Sequence, residues 1–407
     1  MKHVSSPLEL PRNTKQIYNV KQTQKSAVAG KDRDSMFQLI KACKDQQSLA
    51  DPYIRVVQCA PEFCCICSSD LQLMEMDMFL TNPSECTIMG IDPTFNLGEF
   101  VVTPIVYKNL KLIHRRTGEC PTFLGPVLIH QTKTERAFDF FASSIVSLRN
   151  TLADTLFIGT DDECSIFNSF SRYMPISKNM QCQRHVRLNL ERELHTLGIN
   201  NPYTNQFVKD IFDKNVGLAD CLTDTDLENK LLELKPIWNL RECESRKTTE
   251  PAFYTWFLKY KKNLVQNCLL LPLRISCGFG FSHYTTNANE SLNNRFKQKT
   301  DYQENEVTVF CTKMRELADE QKKDTEKAII GIGPYQIRTE YIEHVQPSHA
   351  WFKLSESSRS KHITAFLKAP LKPSQFRSSI RISLVNSLEL QEHLLTHNHI
   401  IKVYLFH

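Results

Sequence analysis

Long apolar runs are missing from this chain. The stretch 263–277 is interrupted by Gln266, Asn267, Pro272 and Arg274, well short of the roughly 20 apolar residues that a membrane-spanning helix needs. Residues 1–30 are polar and lack the apolar centre of a secretory signal. Paired Cys/His clusters are also missing: the fourteen cysteines are scattered, so neither a disulfide framework nor a zinc finger is legible. No internal repeat is visible. These absences exclude membrane-spanning and small secreted scaffolds, and the expectation is a soluble intracellular protein whose cysteines are mostly reduced and buried.

At 407 residues the chain is long enough for two or three domains with a substantial core. Its net charge of +5 is unevenly placed. Residues 1–50 hold nine Lys/Arg against four Asp/Glu, so the remaining 357 residues balance. A basic arm beside a neutral body suits a nucleic-acid partner, although such arms also occur on unrelated proteins.

Residues 1–35 are polar, basic and aperiodic, which predicts a flexible arm. Residues 36–85 read as a short helix, over 34–47, followed by extended apolar segments at 53–59 and 63–67. From residue 86 the pattern turns to α/β. Strands are expected at 87–91, 99–107, 126–130, 152–158 and 180–182, and helices at 134–148, 162–172 and 184–197. Pro104 suggests that the second of these strands lies at an edge or carries a bulge. Hairpins first and crossovers later indicate a mixed sheet with helices on its faces. Residues 200–280 read as an all-α insertion anchored by Trp238, Trp256 and Phe257. The 281–300 segment carries a helix. Within 301–407 the reading is a helix at 305–325, a break at 331–334, a strand at 337–344, and a terminal strand or added extension over the last thirty residues.

Three short motifs place carboxylates where strands end or helices begin: Asp92-Pro-Thr-Phe, Thr160-Asp161-Asp162-Glu163 and Thr286-Asn-Ala-Asn-Glu290. Carboxylates at the strand ends of one α/β sheet are where such sheets hold ligands, and two divalent cations so held can clamp both oxygens of a phosphodiester exchange. Each also has a structural reading. Asp92 before Pro93 is a turn start, Asp161 and Asp162 suit a helix N-terminus with Thr160 and Glu163 as a capping box, and Asn287 with Glu290 forms another. Cys182-x-x-His185 is half of a zinc site with no second half nearby; a structural cysteine and a helix-opening histidine are the simpler reading. Asn293, Arg295 and Lys297 follow Glu290 on one helix and are candidate DNA contacts or an ordinary solvated face. The cluster 259–262, after Trp256 and Phe257, reads as a snorkelling helix end in preference to a strand-binding patch.

Taken together and in this order, the motifs resemble those of the transposases of Mutator-like elements (MULE). Asp92-Pro-Thr-Phe-Asn-Leu-Gly is similar to that family's first motif. Phe157-Ile-Gly-Thr-Asp161-Asp162-Glu163 is similar to the second, with Asp162 in place of the usual glycine. Cys182-Gln-Arg-His185 is similar to its Cys-x-x-His, and Thr286-Asn-Ala-Asn-Glu290-Ser-Leu-Asn293 to the third motif. The likeness spans roughly 85–300. It implies an RNase H-like core in two parts, 86–199 and 281–300, interrupted by the 200–280 insertion. It further implies an Asp-Asp-Glu triad of Asp92, Asp161 and Glu290 binding two Mg2+ or Mn2+ ions, with hydrolysis at element ends followed by strand transfer into target DNA. DNA is the implied partner, a homo-oligomer is compatible with the role, and no membrane is involved. Nuclear localisation would follow from that role, with the cytoplasm as the other choice. Zinc is not expected: the family's flanking zinc modules are missing here, which raises the second reading, a decayed or host-adapted derivative that binds DNA or protein without catalysis.

Overall fold

The computed structural model describes residues 35–373 apart from 94, 98–99, 162–163, 281 and 300–306. The basic arm, save its last residue, lies outside the described residues, as do Asp162, Glu163 and the final apolar segment. A mixed sheet runs through the α/β part. Its strands are β1 (Ile54–Gln58), β2 (Cys64–Cys67), β3 (Met89–Ile91), β4 (Phe95–Leu97), β5 (Phe100–Lys108), β7 (Thr122–His130), β8 (Phe157–Thr160) and β9 (Lys178–Gln181). They lie in the order β1-β2-β7-β5-β3-β8-β9, with β4 added onto β5. Neighbours from β1 to β3 are antiparallel, whereas β3, β8 and β9 are mutually parallel. β6 (Leu112–His114) pairs separately with β10 (Tyr335–Ile337).

Side chains alternate between two cores, as the period of a strand requires. Cys64 and Ile66 of β2 join one core while Cys65 and Cys67 join the other. The first core is covered by α2 (Asp70–Leu80), α3 (Glu135–Leu148) and α4 (Cys164–Tyr173), through Met76, Phe79, Phe138, Phe141 and Phe170. The second lies beneath α1 (Ser35–Gln46), α11 (Asn287–Lys299) and α12 (Val307–Ile329), which contribute Leu39, Phe296, Phe310 and Met314. α3 forms where expected because Thr134 caps it by accepting from the Ala137 amide, and its residues 137, 138, 141, 142 and 145 are buried at helical spacing.

β9 feeds α5 (Gln183–Thr196), after which residues 200–280 hold only helices among the described residues: α6 (Tyr203–Phe212), α7 (Asp224–Arg246), α8 (Phe253–Tyr260), α9 (Lys262–Cys268) and α10 (Leu271–Ser276), with one 3-10 turn. They have a core of their own, built around Trp238 with Phe207, Phe253 and Phe257. Val186, Leu190 and Leu194 of α5 belong to it, so the insertion is packed on the helix that precedes it. The Trp238 indole donates to Asp210 at 2.8 Å. At the end of α8, Lys259 lies over the Tyr260 ring and Lys262 pairs with Glu228.

Several local expectations need correction. β5 is interior and not an edge, and of the two choices for Pro104 the bulge holds: the register shifts between Pro104 and Val106 where β5 meets β7, as a residue lacking an amide hydrogen requires. The strand expected over 152–158 begins only at Phe157, because Asn150–Asp154 forms a 3-10 turn whose Leu152 is buried. The strand expected at 337–344 ends at Ile337, and Thr339–His344 is a 3-10 segment. Helix α2 was not legible, since it buries Gln72 and Glu75 beside Leu73, Met76 and Phe79 and therefore shows no clean apolar stripe. α13 (Ser348–Trp351) and α14 (Glu356–Lys368) complete the described chain.

Glu75 is the costly residue in that arrangement. Its carboxyl accepts from the Tyr107 hydroxyl at 2.6 Å and from the Asn109 amide at 3.1 Å, and burial pushes it up to about 7. A carboxyl whose pKa is higher folded than unfolded stabilises the fold fully below the unfolded value near 4.5, and that contribution is lost as pH rises through about 7. Urea midpoints of wild type and Glu75→Gln should therefore diverge between those two pH values, with the wild type losing ground as pH increases. Parallel profiles would contradict this assignment.

Candidate catalytic carboxylate site

Two residues before each aspartate stands a glycine: Gly90-Ile-Asp92 and Gly159-Thr-Asp161. Gly90 and Gly159 are direct partners across the parallel β3–β8 pair, so the next residues on the same face, Asp92 and Asp161, follow side by side where the two strands end. That face is the one covered by α11 and α12, since the intervening Met89, Ile91 and Ile158 belong to the opposite core. Both aspartates are half-buried.

The third motif docks on the glycines. A Cβ on Gly159 would lie 2.3 Å from the Tyr284 hydroxyl oxygen, and one on Gly90 would lie 2.8 Å from Asn289 Oδ1. The paired glycines thus form a trough that admits Tyr284 and Asn289, with Glu290 immediately following. Tyr284 lies near both aspartates: burial first, and then the charges of Cys182, Asp92, Cys277 and Asp161, push its phenol upward. Tyr284 Oη and Asn289 Nδ2 are buried without a hydrogen-bond partner.

Cys182 fastens the same segment. Its sulfur accepts from the Thr286 amide at 3.4 Å and from the Thr286 hydroxyl at 3.5 Å, while the Gln183 amide donates to the Tyr284 carbonyl at 3.0 Å. The cysteine therefore joins the end of β9 to the loop that launches α11. His185, one residue beyond Arg184 on α5, is half-buried, and its Nδ1 has no hydrogen-bond partner. Cys182 and His185 do not form part of a group of metal-ligating side chains among the described residues.

Glu290 does not join the aspartates in a single tight cluster of ligand atoms among the described residues. Helix α11 begins at Asn287 itself, one residue too early for Asn287 to cap it, so the expected box with Glu290 is not what the helix uses. The Glu290 carboxylate instead accepts from Arg184 at 3.0 and 3.2 Å, both side chains being about half exposed. Asp92, Asp161 and Glu290 do not all come within 4.8 Å of one another through their ligand atoms. Further along α11, Asn293 is buried and Arg295 lies against Tyr335, whose phenol is pushed up by burial, an effect that Arg295 only partly offsets. The side chain of Lys297 lies outside the described residues. A cavity of about 810 Å³ beside Lys178, Asn179, Asp224 and Asn267 contains none of the three carboxylates.

Sequence alone assigned no role to Tyr284, Asn289 or the glycine pair, although Gly159 and Asn289 lie within the quoted motifs. The repeated Gly-x-Asp spacing was the available signal: two strands of one sheet with the same omission of a side chain two residues before a carboxylate. No protein-family model matches the chain, and no curated protein matches it.

The trough makes a direct demand. Gly159→Ala should cost about 1–3 kcal/mol of unfolding free energy, and should cost less in a Tyr284→Ala background because the obstructing ring is gone. Denaturant titration of the four proteins in that cycle measures the coupling. An equal cost in both backgrounds would show that the glycine does not serve the tyrosine.

Proposed function

We propose that the chain is a transposase-derived protein of the Mutator-like kind, with an RNase H-like core that hydrolyses DNA phosphodiesters and transfers strands through Asp92, Asp161 and Glu290. The observation that carries this reading is the placement of Asp92 and Asp161 at the adjacent carboxyl ends of parallel β3 and β8. The sheet supports it as well. The run β7-β5-β3-β8-β9 has three antiparallel strands followed by two parallel to the third, which is the order expected of an RNase H-like sheet.

The donor set suits hard divalent ions, since the candidate ligands are carboxylate oxygens at the rim of a sheet. Asp92 and Asp161 would hold such ions, Mg2+ or Mn2+, with Glu290 as the third ligand. When bound, they would lower the charge on the attacking and leaving oxygens of the scissile phosphate. The protein's own part is positional. Docking of Tyr284 and Asn289 on the glycines keeps α11 over the strand ends, and Cys182 holds the loop before it. To serve as a ligand, Glu290 would give up its pairing with Arg184. Arg184 is then left beside the strand ends, where a guanidinium suits a DNA phosphate. DNA, at element ends and at a target, would be the substrate, and the nucleus the place of action.

One observation favours the second reading, a derivative that binds DNA or protein without catalysis. The Glu290–Arg184 pair already engages the third carboxylate, and the three carboxylates form no tight cluster among the described residues.

Plasmid nicking by the purified protein with Mn2+ separates the two. The expected result is nicking by the wild type and its loss, by about 100-fold or more, in Asp161→Asn and Glu290→Gln with folding intact, since a residue that acts in the transition state carries several kcal/mol. A folded wild type that binds DNA without nicking it would support the non-catalytic reading.

A further inference from the structure

Three cysteines far apart in sequence meet inside the second core. Cys65 and Cys67 occupy alternate positions of β2 and so share the face turned to α12, which supplies Cys311 from its second turn. Their sulfurs lie 3.8 Å apart within the strand, and Cys67 Sγ is 3.5 Å from Cys311 Sγ across 244 residues of chain. All three sulfurs lie within 4.8 Å of one another, and no other group of three metal-ligating side chains is so arranged among the described residues.

The spacing carries chemical information. A disulfide would bring one pair to about 2.0 Å and leave the third sulfur over. Thiolates about 2.3 Å from a shared zinc ion at tetrahedral angles stand about 3.8 Å from one another, close to the two distances observed here. Sulfur donors select soft ions over Mg2+ or Mn2+, so this centre is chemically distinct from the carboxylates at the strand ends.

Tyr53 and Arg315 flank the cluster. The Tyr53 side chain is buried beside Cys67 and Cys311. Arg315, one turn beyond Cys311 on α12, lies over the Tyr53 ring at 5.8 Å.

We propose that Cys65, Cys67 and Cys311 bind a soft metal ion, zinc foremost, as a structural centre that ties β2 to α12. Binding displaces three thiol protons to solvent and forms three sulfur–metal bonds, with no change of oxidation state. The ion fastens the first strands of the chain to the helix that follows α11. It is independent of whether the carboxylates cut DNA.

The test uses the full chain, reduced and freed of metal by a chelator. Co2+ added to the wild type should produce sulfur-to-cobalt charge-transfer absorption in the near ultraviolet, saturating at one ion per chain and abolished by Zn2+. Cys67→Ser and Cys311→Ser should lose it, whereas Cys64→Ser, whose sulfur faces the opposite core, should retain it. Should the first two variants fail to fold, alkylation mapped by mass spectrometry on the wild type still decides. Zinc should slow modification of Cys65, Cys67 and Cys311 several-fold relative to chelated protein, while exposed Cys59 reacts equally in both. A wild type with no charge-transfer absorption, protection that ignores the chelator, or a Cys67–Cys311 disulfide would each overturn the proposal.

Discussion

The close approach of Tyr284 and Asn289 to Gly90 and Gly159 is the contact on which the arrangement of the candidate site depends. Two strands give up their side chains at matched positions, and a loop from more than a hundred residues later settles onto the exposed backbone. Without that trough, β3 and β8 would still present Asp92 and Asp161 at their ends. Helix α11 would keep its packing through Leu292 and Phe296 but lose the contact that sets its start, and Glu290 with it, against the strand ends. Close backbone approach is the recurrent reason for glycine within a strand, and here it links three segments that the chain keeps far apart.

The helical insertion makes that long return possible. It closes its own core around Trp238 and rests on α5, so the chain can leave the sheet after β9 and re-enter through the loop before α11 without disturbing the strands. Cys182 marks the re-entry. Its sulfur receives both polar groups of Thr286, a role for which a small, buried, weakly accepting side chain is suited. The Cys-x-x-His pattern is thus partly explained by anchorage, while the ring of His185 keeps an unpartnered nitrogen.

The two candidate centres divide by donor chemistry. Oxygen donors stand at the half-exposed strand ends, whereas sulfur donors are fully enclosed between β2 and α12. An open rim allows a substrate to approach, and an enclosed cluster allows only a structural role. The two groups thus lie at different places along the same sheet, the carboxylates at the β3–β8 end and the thiols at the β2 end.

Local patterns in the chain were sufficient for the alternation of strands and helices over 86–199, for the helical spacing of α3, and for Asp92 and Asp161 at strand ends, because strand period and helix period are properties of neighbouring residues. Pro104 shows the limit of such reading: its missing amide hydrogen predicts disruption, yet only strand order decides that the disruption is an interior bulge. The same holds for α2, whose buried Glu75 is tolerable only because Tyr107 and Asn109 reach it from another strand. Strand pairing, the glycine trough, the turn of Glu290 toward Arg184 and the meeting of Cys65, Cys67 and Cys311 all depend on residues separated by tens to hundreds of positions. Sequence by itself determined which residues have the right chemistry and the local backbone to present it. Tertiary structure alone decided which of them meet, because register and packing between distant segments are set by the whole core at once.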